Sequence, residues 1–191
     1  TTGEGGIALT NNSKLAKHMS LLRSHGMTRN PNDMTKESDG EWYYQQIELG
    51  FNYRMNDMQA ALGISQLNKI NENISRRHEI ANRYFKLLSD LPLILPHQSN
   101  YGTSAFHLYI IRLKNKSKHK EVFKTLRKKG VGVNLHYIPL YRQPYYKFNS
   151  SSYKNFPQSE AYYSEAISIP IYPKMSNLEQ NTVIRAIKET L

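Results

Sequence analysis

The sequence predicts an α/β protein in which strands alternate with helices. Three observations support this prediction. Short apolar segments with alternating side chains recur between longer segments whose apolar residues follow the helical repeat. Two helix starts carry the signature of a capping box, Asn56 with Gln59 and Ser176 with Glu179. Glycine or proline follows the ends of several of these segments, which indicates where helices stop.

The first 48 residues predict a strand, a helix and a loop. The segment "GGIALT" at residues 5–10 alternates like a short strand. Residues 11–26 predict a helix whose start is capped by Asn12 or Ser13 and whose end is closed by the glycine of "RSHG". Residues 27–48 are polar and aperiodic, which predicts a long loop of the kind that often carries function.

Residues 56–92 carry the strongest helical pattern of the chain. The polar segment "NKINEN" within them predicts a break between two helices, and Pro92 ends the run. We expect a domain boundary in this region. Residues 1–70 would belong to one domain, residues 71–92 would form a connecting helix, and residues 93–191 would form a small C-terminal α/β domain.

The remainder of the chain alternates between the two patterns. Three segments predict strands, "AFHLYIIRL", "VGVNLHY" and "ISIPIY". Three others predict amphipathic helices, "KHKEVFKTLRKKG", "SEAYYSEA" and "SNLEQNTVIRAIKETL". A loop rich in tyrosine and proline separates the second strand from the second helix. This alternation predicts a small layered α/β structure.

Composition limits the classes of function. The 191 residues include no cysteine, which excludes a disulfide framework, a zinc–thiolate site and a cysteine nucleophile. No apolar run approaches the ~20 residues of a membrane helix, and no signal peptide is recognisable, so we expect a cytoplasmic protein. The net charge of +11 suits an anionic small molecule, a nucleic acid or a solvated basic face. Because the basic residues are dispersed without a binding signature, nucleic acid is the weaker alternative.

Three short motifs in the first part of the chain have both a structural and a functional interpretation. Glu4 lies in the turn "GEGG", which is no P-loop because no Gly-Lys-Ser/Thr follows. In "RSHG", Arg23 and His25 complement the helix dipole or serve a site. In "LGFNYRMND", Asn52 and Arg54 precede a helix start, a place that suits a phosphate, although they could equally satisfy loop carbonyls.

A fourth motif, "NLHYIPLYRQPYY", places His136, Tyr137 and Tyr141 after a predicted strand. Aromatic rings with a few polar groups suit a sugar or nucleotide pocket, and they equally suit a subunit interface. No acid lies nearby in sequence to orient His136 for catalysis. The sequence also contains no serine nucleophile elbow, no metal-ligand spacing and no convincing carboxylate pair, so it indicates no independent catalytic centre and no metal site.

Taken in order, "TTGEGG", "LRSHGM", "LGFNYRMNDMQAALGISQL" and "HYIPLY" resemble the C-terminal half of the DegT/DnrJ sugar aminotransferases. Each motif is weak alone, but their order and spacing are specific, and the resemblance covers Thr1 to Leu191. It implies fold type I of the pyridoxal phosphate (PLP) enzymes, which is aspartate-aminotransferase-like. Residues 1–70 would then end the large PLP-binding domain.

The resemblance also implies an activity. It is nearest to the 4-aminotransferases of the pseudaminic-acid pathway, which move an amino group, commonly from L-glutamate, to C4 of a UDP-linked 4-keto-6-deoxy sugar. The enzymes would be homodimers with shared active sites. The Schiff-base lysine would lie upstream of Thr1, so no catalytic residue is assigned here and the isolated chain is expected to be inactive. A non-catalytic relative and a basic nucleic-acid-binding module remain the alternatives.

The resemblance assigns binding roles to seven residues of this chain. Asn52 and Glu4 are expected to bind the PLP cofactor. The substrate is expected to contact five further residues, namely Arg54, His25, His136, Tyr137 and Tyr141.

Overall fold

The computed structural model describes residues 1–146 and 155–191. The chain divides into two compact units, Thr1–Lys69 and Ile70–Leu191. The described part contains both helices and short strands, as an α/β chain should. None of its helices is long and apolar enough to cross a membrane.

The first unit contains two helices and a two-stranded antiparallel sheet. These elements are α1 (Ser13–Leu22), β1 (Met27–Thr28), β2 (Gln45–Gln46) and α2 (Asp57–Leu67). Asn12 caps α1, as predicted, because its side chain accepts hydrogen bonds from the Lys14 and Leu15 amides. The predicted capping box of α2 is also present, with Asn56 and Gln59 bonded reciprocally.

Two expectations for the first unit need correction. The segment "GGIALT" is not a strand, because no strand among the described residues pairs with it, and its Ile7 and Leu9 are each 84% exposed. The long loop of residues 27–48 is less irregular than expected, since its two ends form β1 and β2. The Gln45 side chain joins the loop to itself by accepting from the Thr35 amide and donating to the Lys36 carbonyl.

The second unit contains a three-stranded antiparallel sheet in the order β3–β4–β5. The strands are β3 (Leu93–Ile94), β4 (Tyr109–Leu113) and β5 (Ala166–Ile169). The helices are α3 (Ile70–Leu88), α4 (His119–Lys128), α5 (Pro157–Glu165) and α6 (Asn177–Lys188). The break between α2 and α3 falls at the start of "NKINEN", as predicted.

The core of the second unit lies among β4, β5 and the apolar faces of α3, α4 and α6. Tyr84 of α3 is fully buried, and its hydroxyl donates to the Pro170 carbonyl at 2.8 Å. This burial raises the pKa of Tyr84. Gln180 of α6 is also buried and donates to the Ile80 carbonyl at 2.8 Å, so a polar group links α6 to α3 inside the core.

The prediction of a strand at "VGVNLHY" is wrong, although Val131 and Val133 are buried, as the alternating pattern predicted. The amide of Val131 donates to Leu126 and that of Val133 donates to Val131. Because these amides are used locally, they do not form a ladder with another strand. Among the described residues, Asn134 is the one position of this segment that bridges to a strand, at Ser168 of β5.

The capping box at α6 makes a stability prediction. The Ser176 hydroxyl accepts from the Glu179 amide at 3.2 Å, and the Glu179 carboxylate accepts from the Ser176 amide at 2.8 Å. Ser176→Ala should lower the free energy of unfolding by about 1 kcal/mol, because one amide of the first turn loses its partner. Urea denaturation followed by circular dichroism measures this change. Thr182→Ala, an exposed change in the same helix, is the control and should stay within about 0.5 kcal/mol of the parent.

Candidate functional site

Two of the predicted motifs are joined by their main chains in the first unit. The Phe51 amide donates to the Leu22 carbonyl at 2.7 Å, and the His25 amide donates to the Phe51 carbonyl at 2.9 Å. The Tyr53 amide then donates to the Arg23 carbonyl at 2.9 Å. We call residues 22–26 and 50–53 the paired segments. They bring "RSHG" and "GFNY" together, although the two motifs are well separated in sequence.

Two glycines allow the paired segments to approach closely. Gly26 has the predicted left-handed φ, +67°, but it lies beyond the Arg23 C-cap because α1 already ends at Leu22; a Cβ on Gly26 would overlap the Glu48 carbonyl oxygen. A Cβ on Gly50 would overlap the Gly26 amide nitrogen. His25 shares the left-handed region with a φ of 63°, which is uncommon for a residue with a side chain. The conformation of this motif is therefore set by close packing of main chain.

Asn52 and Arg54 form a polar pair just before α2. The Arg54 Nε donates to Asn52 Oδ1 at 2.9 Å, and both side chains are exposed. In the described part of the chain, the Asn52 Nδ2 and the terminal guanidinium nitrogens of Arg54 have no protein partner. Amide and guanidinium donors beside a helix N-terminus suit a phosphate group. The geometry therefore supports anion binding at this place.

Glu4 is attached to the same helix start through its main chain. Its carbonyl accepts from the Gln59 side chain and from the Thr2 hydroxyl, each at 3.0 Å. Gln59 also completes the capping box with Asn56. The exposed Glu4 turn is thereby held beside the first turn of α2. The sequence predicted Gln59 as a capping residue, but nothing local indicated that it also reaches Glu4.

The second unit holds the other predicted residues. His136 is half-buried, and its Nδ1 lies 2.8 Å from the Ser168 hydroxyl oxygen. Its carbonyl accepts from the Tyr162 hydroxyl at 3.1 Å. Tyr137 stands edge-on to the His136 ring at 4.7 Å and is 74% exposed. Sequence reasoning missed Ser168, whose only local signal was a polar residue within the apolar strand "ISIPIY".

Tyr141 belongs to a separate polar cluster of the second unit. Its hydroxyl donates to Glu160 at 2.9 Å, and the Arg142 guanidinium holds the same carboxylate through two nitrogens. The Tyr141 ring stacks on Phe156 at 4.7 Å. The Arg142 hydrogen bond lowers the pKa of Glu160, while desolvation and the bond to Glu160 raise the pKa of Tyr141. The Tyr141 hydroxyl is therefore already engaged by a protein acceptor.

The described residues contain no group of three or more His, Cys, Asp or Glu side chains that could hold a metal ion. The site residues instead form two sets. Glu4, Arg23, His25, Asn52 and Arg54 lie in the first unit, and His136, Tyr137 and Tyr141 lie in the second. In the first set, the paired segments lead into the exposed Asn52–Arg54 pair. In the second, the Tyr137 ring lies edge-on to His136, while Tyr141 belongs to the separate cluster with Glu160.

The fold is that of the C-terminal part of a fold-type-I PLP-dependent aminotransferase, as predicted. Residues 1–188 match the DegT/DnrJ/EryC1/StrS aminotransferase family, and the chain belongs to that family. These aminotransferases are PLP-dependent, which agrees with the predicted cofactor.

Among curated proteins, the chain is 40% identical over 200 residues to the uncharacterized protein MJ1066 of Methanocaldococcus jannaschii, covering 99% of this chain and 50% of that protein. It is 35% identical over 195 residues to the spore coat polysaccharide biosynthesis protein SpsC of Bacillus subtilis, covering 98% of this chain and 50% of that protein. It is 34% identical over 194 residues to the UDP-4-amino-4,6-dideoxy-N-acetyl-beta-L-altrosamine transaminase of Campylobacter jejuni, covering 100% of this chain and 48% of that protein. The chain thus spans about half the length of these relatives.

Solved structures show the same likeness. Helicobacter pylori PseC, an aminotransferase involved in the biosynthesis of pseudoaminic acid, superposes with a TM-score of 0.84 at 29% identity, covering 100% of this chain and 49% of that one. The PMP-form of the sugar aminotransferase Spr1654 from Streptococcus pneumoniae superposes with a TM-score of 0.84 at 25% identity (100% and 49%).

The residues of this chain fit one part of the PLP cofactor, its phosphate. Asn52 and Arg54 are the donors that fit it, because the Asn52 Nδ2 and the terminal guanidinium nitrogens of Arg54 have no partner among the described residues and lie before α2, where the helix dipole also favours negative charge. Lys17 of α1 is 2.5 Å from Asp33 and is therefore ion-paired.

Proposed function

We propose that this chain is the C-terminal part of a PLP-dependent aminotransferase that acts on a nucleotide sugar. The substrate we propose is a UDP-linked 4-keto-6-deoxy-N-acetylhexosamine, aminated at C4, with L-glutamate as the donor. The observation that carries the proposal is the family match over residues 1–188, together with the exposed Asn52–Arg54 pair at the start of α2. The transaminase of C. jejuni and PseC of H. pylori support the substrate class.

In this proposal the chain's own residues bind and orient, and the bound cofactor supplies the electron sink for amino transfer. Asn52 and Arg54 hold the cofactor phosphate by charge-assisted hydrogen bonds, so Arg54, which the resemblance assigned to the substrate, is proposed here to contact the cofactor instead. Glu4, in the glycine-rich turn, and His25, in the paired segments, lie next to this phosphate site. His136 and Tyr137 contact the nucleotide sugar through an imidazole and an exposed ring. The net charge of +11 favours approach of a diphosphate.

We further propose that the full-length protein is a homodimer and that the 191-residue chain alone does not transaminate. Support for the first part is the exposed apolar surface of the first unit, where Leu49 and Met58 are 83% and 81% exposed. Support for the second part is that the chain spans about half the length of its relatives. The cytoplasmic location stays a prediction from the sequence.

The proposal is tested with the full-length protein that carries this chain. Given PLP, L-glutamate and the UDP-linked keto sugar, it should release 2-oxoglutarate and an amino sugar, both measured by mass spectrometry. The 191-residue chain should release neither and should retain no PLP after gel filtration. Failure of the full-length protein with every keto sugar offered would overturn the proposed activity.

Asn52→Ala in the full-length protein should weaken PLP binding roughly tenfold or more, because a hydrogen bond to a charged group is lost. Fluorescence titration of the apoprotein with PLP measures the change in Kd. Asn71→Ala is the matched control, since it removes an exposed asparagine of α3. An unchanged Kd in Asn52→Ala would contradict the phosphate role of this residue without affecting the reaction assigned to the protein.

A further inference from the structure

Ser168 is the polar residue of an otherwise apolar strand. The other members of β5 are Ala166, Ile167 and Ile169, all buried, and Ser168 itself is only 5% exposed. Its main chain exchanges two hydrogen bonds with Asn134, at 2.7 and 3.1 Å. The backbone therefore holds the Ser168 hydroxyl in one place, and a hydroxyl so deeply buried needs a hydrogen-bond partner.

That partner is His136, whose Nδ1 lies 2.8 Å from the Ser168 hydroxyl oxygen. The Ser168 hydroxyl makes no other hydrogen bond within the described ranges. If Nδ1 carried the ring proton and donated it, the hydroxyl proton of Ser168 would be buried without an acceptor. The arrangement that satisfies both groups has the hydroxyl donating to Nδ1. The proton of the neutral ring is then on Nε2.

Two further contacts restrain the same residue. The Tyr162 hydroxyl donates to the His136 carbonyl at 3.1 Å, and the Tyr137 ring lies edge-on at 4.7 Å. No hydrogen bond engages Nε2 in the portion of the chain that the structure describes, and His136 is half-buried rather than enclosed. The ring is thus held on one side and has an available N–H on the other.

We propose that Ser168 is a positioning residue that keeps His136 in its Nε2–H tautomer, so that Nε2 donates a hydrogen bond to an anionic oxygen of the bound ligand. On the function proposed above, that oxygen belongs to the diphosphate of the nucleotide sugar. The role of Ser168 itself depends only on contacts within the second unit. The tautomer and the ligand can therefore be tested separately.

The tautomer is read from two-bond ¹⁵N–¹H correlation spectra of the 191-residue chain labelled with ¹⁵N-histidine, at about pH 8.5, where an ordinary imidazole is neutral. The His136 signal is assigned by its loss in His136→Gln. The parent chain should show the Nε2–H pattern. Ser168→Ala should raise the ratio of the Nδ1–H to the Nε2–H form roughly fivefold, because the hydrogen bond that favours one form is lost.

Two variants make the test specific. Ser168→Thr keeps the hydroxyl and should show the same Nε2–H pattern as the parent chain. Ser164→Ala removes another serine hydroxyl of the second unit, one that donates to Ala161, and should leave the His136 signal unchanged. An Nδ1–H pattern in the parent chain would overturn the inference, as would a ratio that Ser168→Ala leaves unaltered. The parent spectrum tests the inference even where a variant fails to fold.

The consequence for binding is measured in the full-length protein. Ser168→Ala should raise KM for the UDP-linked keto sugar roughly fivefold with kcat nearly unchanged. A hydrogen bond to a phosphate that does not react stabilises the bound substrate and the transition state equally, so its loss weakens binding without slowing the chemical step. Ser168→Thr should restore KM. The expected tautomer without any transaminase activity would refute the proposed function and leave the role of Ser168 intact. Full activity with an unaltered tautomer ratio would refute the role of Ser168 alone.

Discussion

Gly26→Ala should break the contact between the paired segments. A Cβ at this position would overlap the Glu48 carbonyl oxygen and lie 2.6 Å from the Glu48 carbonyl carbon, both main-chain atoms that cannot rotate away. The φ of +67° adds about 1 kcal/mol of strain for a residue with a side chain. We expect the substitution to lower the free energy of unfolding by more than about 4 kcal/mol, an effect that few single substitutions reach.

Hydrogen exchange measures this effect at the residues concerned. The amides of His25, Phe51 and Tyr53 carry the hydrogen bonds of the paired segments and should lose protection in Gly26→Ala. Gly6→Ala is the matched control, because nothing lies within 4 Å of its Cβ position and its φ is ordinary. Protection that survives in Gly26→Ala would show that the close approach of the two segments is not required.

In the full-length protein, the same substitution should reduce activity, because the paired segments lead directly to Asn52 and Arg54. A small displacement of positioning groups costs orders of magnitude in rate. Gly50→Ala should behave in the same way, since its Cβ would overlap the Gly26 amide nitrogen. Normal activity in both variants would show that the conformation of the paired segments does not affect the cofactor site.

Leu126→Ala should lower the free energy of unfolding of the second unit by about 2–5 kcal/mol, because it leaves a cavity in the core. Leu126 is fully buried on the apolar face of α4, together with Val122. Urea denaturation followed by far-ultraviolet circular dichroism gives the midpoint and slope of the transition. The midpoint should fall, while the slope should stay constant if the unfolded state is unchanged.

Lys124→Ala is the control for this prediction, because Lys124 is exposed on the same helix and alanine is a good helix former. Its effect should lie within about 0.5 kcal/mol of the parent. Equal midpoints for Leu126→Ala and Lys124→Ala would contradict the placement of the core between α4 and the sheet.

Local signals predicted three helix starts of this chain correctly. The caps at Asn12, Asn56 and Ser176 were recognisable, because capping involves residues within one turn of each other, whereas α1 ends at Leu22, before the glycine that was predicted to close it. The order of the motifs was also sufficient to recognise the family, since that order does not depend on any single contact.

Strands were predicted less well, because a strand exists only when a partner is present. "GGIALT" has the alternation of a strand and no strand beside it in the described residues. "VGVNLHY" buries its valines but uses the amides of Val131 and Val133 in local turns. Periodicity shows which face is apolar, whereas pairing depends on segments far away in sequence.

The sequence by itself determined three helix starts, the family and the identities of the candidate site residues other than Ser168. Only the tertiary structure decided which residues touch. Arg23 meets Tyr53 through the main chain, Gln59 reaches Glu4, and Ser168 orients His136 across 32 positions of sequence. Such contacts join residues that are far apart in sequence, and nothing in the sequence around either residue predicts the other. They arise when packing of the whole unit brings a particular donor within hydrogen-bonding distance of a particular acceptor.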